Sequence, residues 1–363
     1  ANLAAGLVVG KVGAASVTPA ELNLALHEQG EGGRGTVALT GASGFLGSHI
    51  ADLLLARGFG VRAAVRATSN LRWLAGKPLA TVETDLHDPD ACARLLSGTR
   101  ALVHCAGVVA APDEAGYRRG NVETTRALLV AAARAWSEPV PTPPPAFLLV
   151  SSLAAHGPAS PERPAREADP SSPISAYGRS KREAESLVAT APGLFRRVIL
   201  RPPALYGPRD REFLPLLRMA CAGWSVALGR TLRGLSLVDG RDAAAAAVAL
   251  LEADDAEGVF FVDDGARGYD FAAIARALAE AAGRRGRLGT LPLGPVRLLS
   301  RLLRGTALGR SPALVPSRIQ DLEQVGWVCD GSRLEQATGF RSERRAARGF
   351  RETIAFNREI GWQ

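Results

Sequence analysis

Lysine is nearly missing from this chain of 363 residues: Lys11, Lys77 and Lys181 are the only three, and the other 41 of its 44 basic residues are arginine. Where such a chain does use lysine, a compact ammonium on a flexible stem is doing what a planar guanidinium fork cannot. The four cysteines, Cys92, Cys105, Cys221 and Cys329, stand at no metal-binding or redox spacing, so no metal site is expected and the thiols fit a reducing cytoplasm. No apolar run reaches membrane-spanning length, and the apolar start is interrupted by Lys11 with no basic leader before it, so no membrane insertion is expected. The formal net charge of +8 comes from scattered arginines with only short clusters, such as Arg284-Arg285 and Arg344-Arg345, and no interleaved aromatics. That pattern reads as solvated surface, not a nucleic-acid patch.

What is present begins with Tyr177-Gly178-Arg179-Ser180-Lys181. Residues four apart share one helix face, so the ammonium sits beside the phenol, favours phenolate and makes the tyrosine usable as an acid or base near neutral pH. Alone, that spacing also fits a solvated helix face. Upstream, the apolar, β-branched run Thr36 to Thr40 leads into Gly41-Ala42-Ser43-Gly44-Phe45-Leu46-Gly47 and then a helical pattern through Arg57. In a strand, turn, helix context these glycines serve a tight turn, a close backbone approach to a pyrophosphate and close helix packing, with the helix N-terminus facing the phosphates.

The alternation continues. Strands are predicted at Gly60 to Arg66, Ala80 to Glu83, Ala101 to Cys105 and Ala146 to Ser152, with helices near Asn70 to Leu74, Asp88 to Leu96 and Tyr117 to Trp136. This order predicts an α/β fold, a Rossmann-type doubly wound parallel sheet with ligands at the carboxyl ends of its strands. Those ends carry Ser43, Arg66, Asp85-Leu86, Ala106-Gly107 and Ser151-Ser152. A carboxylate after the second strand would bond the ribose hydroxyls of NAD, and an arginine there accommodates the 2′-phosphate of NADP. Here the place reads Val65-Arg66-Ala67-Thr68-Ser69, so NADP is expected, with NAD as the alternative and Ser43 or Ser69 adding a hydroxyl.

Together with His104-Cys105-Ala106-Gly107, Asn121-Val122, Val150-Ser151-Ser152 and Arg201-Pro202-Pro203-Ala204-Leu205-Tyr206-Gly207-Pro208, these segments stand in the order of the extended short-chain dehydrogenase/reductases, which the chain resembles from about Thr36 to its C-terminus. The Arg-Pro stretch is similar to the 3β-hydroxysteroid dehydrogenase and dihydroflavonol reductase-like members, whereas nucleotide-sugar epimerases commonly carry an asparagine there. The resemblance implies an NAD(P)-dependent oxidoreductase acting on a secondary alcohol or ketone of a small molecule. A nucleotide-sugar epimerase or dehydratase is the alternative, and a non-catalytic dinucleotide sensor a second.

Carried onto this sequence, the resemblance makes Tyr177 the general acid/base, Lys181 its electrostatic partner and ribose ligand, and Ser152 the donor to the substrate oxygen. Ser152 is preferred over Ser151 because the family's serine stands five residues before the loop glycine, here Gly157. Asn121 supports the site or caps a helix. Gly41, Ser43, Gly44, Phe45, Leu46, Gly47, Arg66, Asp85, Leu86, Ala106, Gly107 and Pro202 would line the cofactor, and Pro203 the nicotinamide side.

Residues 36–205, with 236–262 returning, are expected to form the dinucleotide-binding domain, and 206–235 with 263–363 a smaller, mainly helical substrate lobe, in a possible homodimer. His156, Arg209, Arg211 and Arg241 are candidates to face substrate. Residues 1–35 form an extension with the glycine-rich joint Gly30 to Gly35, and 1–30 resemble the C-terminal end of a ribokinase-type heptose kinase domain without its catalytic motif. The segment is read as a piece of a longer fusion or as an arm, neither giving kinase activity, and only as a relic of a heptose kinase fusion does it add weight to the nucleotide-sugar alternative.

Overall fold

The computed structural model describes residues 34–137, 143–228, 232–284, 287–291, 294 and 323–362. The readings for residues 1–33 of the N-terminal extension therefore lie outside the described residues.

Apolar strands buried on both faces build the centre. β1 (Thr36–Thr40) pairs in parallel with β2 (Gly60–Val65) on one side and β4 (Ala101–His104) on the other. β3 (Ala80–Glu83), β5 (Ala146–Val150), β6 (Arg196–Arg201) and β11 (Gly258–Phe261) complete a parallel sheet of seven, in the spatial order 3-2-1-4-5-6-11. The order reverses between β1 and β4, and in doubly wound sheets that switch point opens the ligand crevice.

The pleat sends Val37, Leu39, Val103, Leu148 and Val150 to one face and Ala38, Leu102, Phe147 and Leu149 to the other. The first face is covered by α1 (Phe45–Ala56) and α7 (Gly240–Glu252), whose alanine-rich surface allows close contact. The second is covered by α2 (Pro89–Leu96), α4 (Thr124–Ala135) and α5 (Ala176–Ala189). Asp88 caps α2 by accepting from the Asp90 N–H, with Pro89 at the first helical position.

Three expectations need correction. Asn70 to Leu74 is a run of turns rather than a helix, because Asn70 Oδ1 takes the Arg72 N–H and Gly76, at φ +74°, and Pro78 close the segment within a few residues. The helix expected from Tyr117 begins earlier, as the short α3 (Glu114–Tyr117), and passes through a π-helical turn at Arg118–Glu123 before α4. Within 210–235, part of the lobe expected to be mainly helical and read as having little strand alternation, α6 (Leu214–Cys221) is followed by β8 (Trp224–Leu228), which pairs in parallel with β12 (Arg287–Leu291).

A further core gathers α6, α8 (Phe271–Ala282) and α10 (Ala346–Glu359) around Tyr206 and Phe350, whose ring centroids lie 4.5 Å apart. Tyr206 belongs to β7 (Ala204–Tyr206), which pairs with β10 (Leu237–Asp239). The short β9 (Gly234–Leu235) pairs with β13 (Gly326–Trp327), which precedes α9 (Ser332–Thr338). Among the described residues, no helix is long and apolar enough to cross a membrane.

Candidate active site

The crevice above the switch point starts with the turn after β1. Gly41 has φ +72°, and a Cβ on it would come within 2.7 Å of the Ala106 nitrogen. A Cβ on Gly47 would meet the Gly41 carbonyl oxygen at 2.1 Å, so α1 lies against its own entry loop only because that position is glycine. Gly44 is the N-cap of α1, is exposed and supplies no capping side chain, and the first turn carries no acidic residue. The free N–H groups there, with the positive end of the helix dipole, form a cradle that fits a pyrophosphate. Phe45 and Leu46 contribute main chain to it: the Phe45 ring packs toward Gly240 and His49, and Leu46 is buried in the core.

At the end of β2, Arg66 is exposed and its guanidinium has no hydrogen bond or ion pair among the described residues, while its N–H donates to Ser69 Oγ at 2.9 Å. No carboxylate stands in the Arg66 to Asn70 turn. After β3, Asp85 Oδ1 accepts the His87 N–H at 2.9 Å, and Leu86 is half-buried.

Beyond β4 a hydrogen-bonded chain fixes the loop. Thr125 donates to the Asn121 carbonyl at 2.6 Å, so it accepts from His104 Nε2–H at 3.2 Å, which leaves His104 Nδ1 to accept from Thr40 Oγ1 at 2.8 Å. Thr40 in turn accepts the Ala106 N–H. Asn121 is not a helix cap. It lies inside the π turn, 2% exposed, accepts from Val108 N at 2.8 Å and donates to Val108 O at 3.1 Å and Ser180 Oγ at 2.9 Å. It therefore joins the β4 loop to α5.

Helix α5 carries Tyr177 and Lys181 and is capped by Ser175, which accepts the Gly178 N–H. Gly178 was not singled out from the sequence, yet a Cβ there would meet the Ala154 carbonyl oxygen at 2.3 Å. Its bareness lets α5 lie directly on the turn Leu153–Ala155 that follows Ser152. Ser152 caps that turn by accepting the Ala154 N–H at 3.1 Å and is only half-buried, whereas Ser151 is buried with its hydroxyl donated to Glu185 at 2.5 Å. The main chain of Leu153 also bonds the buried Pro202, its N–H donating to the carbonyl at 2.9 Å. Tyr177 is half-buried, with its ring 6.1 Å from that of Tyr117.

Lys181 Nζ donates to the Val150 carbonyl at 2.7 Å, and Gly107 gives it room, a Cβ there falling 3.7 Å from Nζ. Burial pushes the ammonium down to about 8, while Cys105 and Glu185 act to raise it.

Arg201, read from the sequence as part of a substrate-class pattern, is 2% exposed and paired with Glu185. It does not face a ligand. Of the other candidates, Arg209 pairs with Asp52 and lies over Trp73, Arg241 pairs with Asp239 and Glu352, Arg211 lies over Trp362, and the buried His156 ring packs on Phe261. The arginine contacts tie the α1 flank and the C-terminal segment into the fold, and the His156 contact ties the turn after β5 to β11.

Two of the buried histidines, His49 and His104, carry a stability consequence. Burial pushes His49 down to about 4, and burial with Lys181 nearby pushes His104 down to about 3, so both stay neutral when folded. In the unfolded chain both take protons near 6.5. Their stabilisation is therefore whole above pH 6.5 and is lost as pH falls toward about 4 and 3, at about 1.4 kcal/mol per pH unit for each histidine. Urea midpoints against pH should fall less steeply for His49→Gln, which keeps a donor for the Pro208 carbonyl; equal slopes would contradict this assignment.

A glycine cradle at the switch point, an unpaired arginine after β2, and a tyrosine and lysine on a helix packed against a serine turn together fit a nicotinamide dinucleotide and a reacting carbonyl. Comparison with known proteins agrees. The NAD dependent epimerase/dehydratase family matches residues 37–262, and the chain belongs to that family. It is 30% identical over 331 residues to a ceramide reductase of Caulobacter vibrioides, covering 91% of this chain and 96% of that protein. It is also 30% identical over 298 residues to 4-hydroxy-2-methyl-3-oxo-4-farnesyl-3,4-dihydroquinoline-1-oxide ketoreductase of Stigmatella aurantiaca, covering 77% and 81%. The crystal structure of gox2253 superposes with a TM-score of 0.72 at 27% identity, covering 90% and 99%. The protein is thus an NAD(P)-dependent enzyme of the extended short-chain dehydrogenase/reductase type, an oxidoreductase for a secondary alcohol or ketone.

Proposed function

We propose that this enzyme is an NADPH-preferring reductase of a ketone carried on a largely apolar molecule, with Ser152, Tyr177 and Lys181 as its reacting groups. The observation that carries the reading is the seating of α5 on the turn after Ser152, through Gly178, which brings the half-buried Ser152 hydroxyl and the Tyr177–Lys181 face to one wall of the crevice. In this reading the Ser152 hydroxyl donates to the substrate oxygen and Tyr177 delivers the proton to it. The Lys181 ammonium stabilises the phenolate left behind. The dinucleotide, when bound, supplies the hydride. Gly41, Ser43, Gly44, Gly47 and the main chain of Phe45 and Leu46 hold its phosphates, Asp85 and Leu86 flank the adenine, and Ala106, Gly107 and Pro202 line the nicotinamide half.

An apolar substrate is supported by the relatives, since a ceramide and a farnesyl-bearing quinoline are both lipophilic. We assign residues 36–205 with 236–262 to dinucleotide binding and 206–235 with 263–363 to the substrate lobe. A cytoplasmic homodimer completes the reading: the four cysteines stand at no metal-binding or redox spacing, which suits a reducing compartment, and sedimentation tests the dimer.

NADPH oxidation across a panel of lipophilic ketones and of nucleotide sugars tests the function. Turnover confined to the ketones supports it, and turnover confined to the sugars contradicts it. For the cofactor, Arg66→Ala should weaken NADPH about ten- to a hundredfold and NADH hardly at all, the effect of losing one charge-assisted contact to the 2′-phosphate. Fluorescence titration of both cofactors decides, and an equal loss for both would return the preference to NAD.

A further inference from the structure

One buried charge in the crevice wall has no part in that scheme. Glu185, 1% exposed, lies on α5 one turn beyond Lys181. Its Oε1 accepts from Ser151 Oγ at 2.5 Å and Arg201 Nε at 2.8 Å, and its Oε2 accepts from Arg201 Nη2 at 2.6 Å and Arg182 Nη1 at 3.2 Å. Arg201, at the end of β6, also donates to Ser171 Oγ at 3.2 Å and lies 5.4 Å from the Phe261 ring centre. Ser151 directly follows β5 and precedes Ser152. One carboxylate thus ties the lysine-bearing helix to both strand ends that frame the crevice.

Stability alone does not account for this arrangement, because well-packed apolar residues in place of a buried ion pair are often as stable or more so. The setting of Lys181 suggests what does. Its ammonium meets the Val150 carbonyl from β5, the Cys105 thiol just after β4 acts on it, and it acts in turn on the His104 ring at the end of β4. Burial pushes Cys105 up to about 11, so that thiol and the neutral His104 carry no charge near pH 7. Glu185 supplies the carboxylate charge that acts on Lys181.

We propose that Glu185 is a positioning residue of the reaction: it locks α5 to the ends of β5 and β6, so that Ser152, Tyr177 and Lys181 share one geometry, and its negative charge keeps Lys181 an ammonium. This rests on the active-site reading above. The double variant Glu185→Met/Arg201→Met removes both charges and keeps the volume. It should melt close to wild type and bind NADPH within a few-fold. Its kcat should fall about ten- to a hundredfold with little change in KM, as misplacement of reacting groups does. Because it removes one positive and one negative charge together, its alkaline kcat limb should stay near the wild-type pH. Glu185→Gln, which keeps hydrogen bonds to Ser151 and Arg201 but removes only the negative charge, should move that limb to lower pH by about one unit, the direction in which losing a nearby opposite charge shifts a lysine, with a smaller loss of kcat. A folded double variant with wild-type kcat overturns the proposal, as does an unmoved limb in Glu185→Gln. Tyr177→Phe separates the two levels: if it is inactive while the Glu185 variants are normal, only this proposal falls, and if it is fully active, the active-site reading falls with it.

Discussion

Tyr177→Phe should lower turnover by about two to four orders of magnitude, the usual contribution of a positioned proton donor, while leaving NADPH affinity nearly intact. The phenol hydroxyl is all that changes. The ring keeps its place against Tyr117, and the main-chain carbonyl of residue 177 still accepts from Ser180 Oγ at 2.7 Å, so the helix that carries Lys181 is undisturbed. A loss in kcat without a matching rise in KM would mark a group acting only in the transition state. Turnover near wild type would remove Tyr177 from the chemistry.

Gly47→Ala should have the second largest effect, and on the cofactor instead. The added methyl would stand 2.1 Å from the Gly41 carbonyl oxygen and 3.0 Å from the Ala42 Cα, both backbone atoms that cannot rotate away. Either α1 withdraws from the loop or the loop opens, and the N–H groups at the start of α1 lose their common aim. Each charge-assisted hydrogen bond to a phosphate is worth roughly 1.5 to 3 kcal/mol, so losing one or two corresponds to a drop in NADPH affinity of about ten- to ten-thousandfold. Thermal stability should fall as well, since overpacking costs about 1 to 3 kcal/mol. Gly193→Ala is the control, for a Cβ there meets nothing within 4 Å. Affinity for Gly47→Ala within about threefold of the control would show that the cradle is not where the phosphates sit.

How far the sequence discloses this protein follows from the range of the interactions involved. The glycine turn and the parallel strands depend on local spacing and on apolar runs, so the sheet and its switch point are readable along the chain. The ends of β2, β4 and β5 fall one or two residues short of expectation, since hydrogen bonding to a neighbouring strand ends them rather than composition. The π turn at Arg118–Glu123 leaves no mark in a pattern of apolar residues, yet it turns Asn121 inward to Val108 and Ser180. Glu185 reads in sequence as an ordinary charge on an amphipathic helix. Its role appears only when β6 brings Arg201 against it and β5 brings Ser151. Gly178 is similarly silent, because the carbonyl it must clear belongs to Ala154, on a turn after a different strand.

The central claim is net reduction of a carbonyl, and one measurement meets it directly. Incubate the enzyme with NADPH deuterated at the transferring C4 position and a lipophilic ketone that it turns over, then analyse the product alcohol by mass spectrometry alongside the amount of NADP formed. The account predicts one deuterium retained in each alcohol, with NADP formed in equal amount. Interconversion of the substrate with no net consumption of NADPH and no deuterium in the product would contradict it and identify an epimerase-type cycle instead.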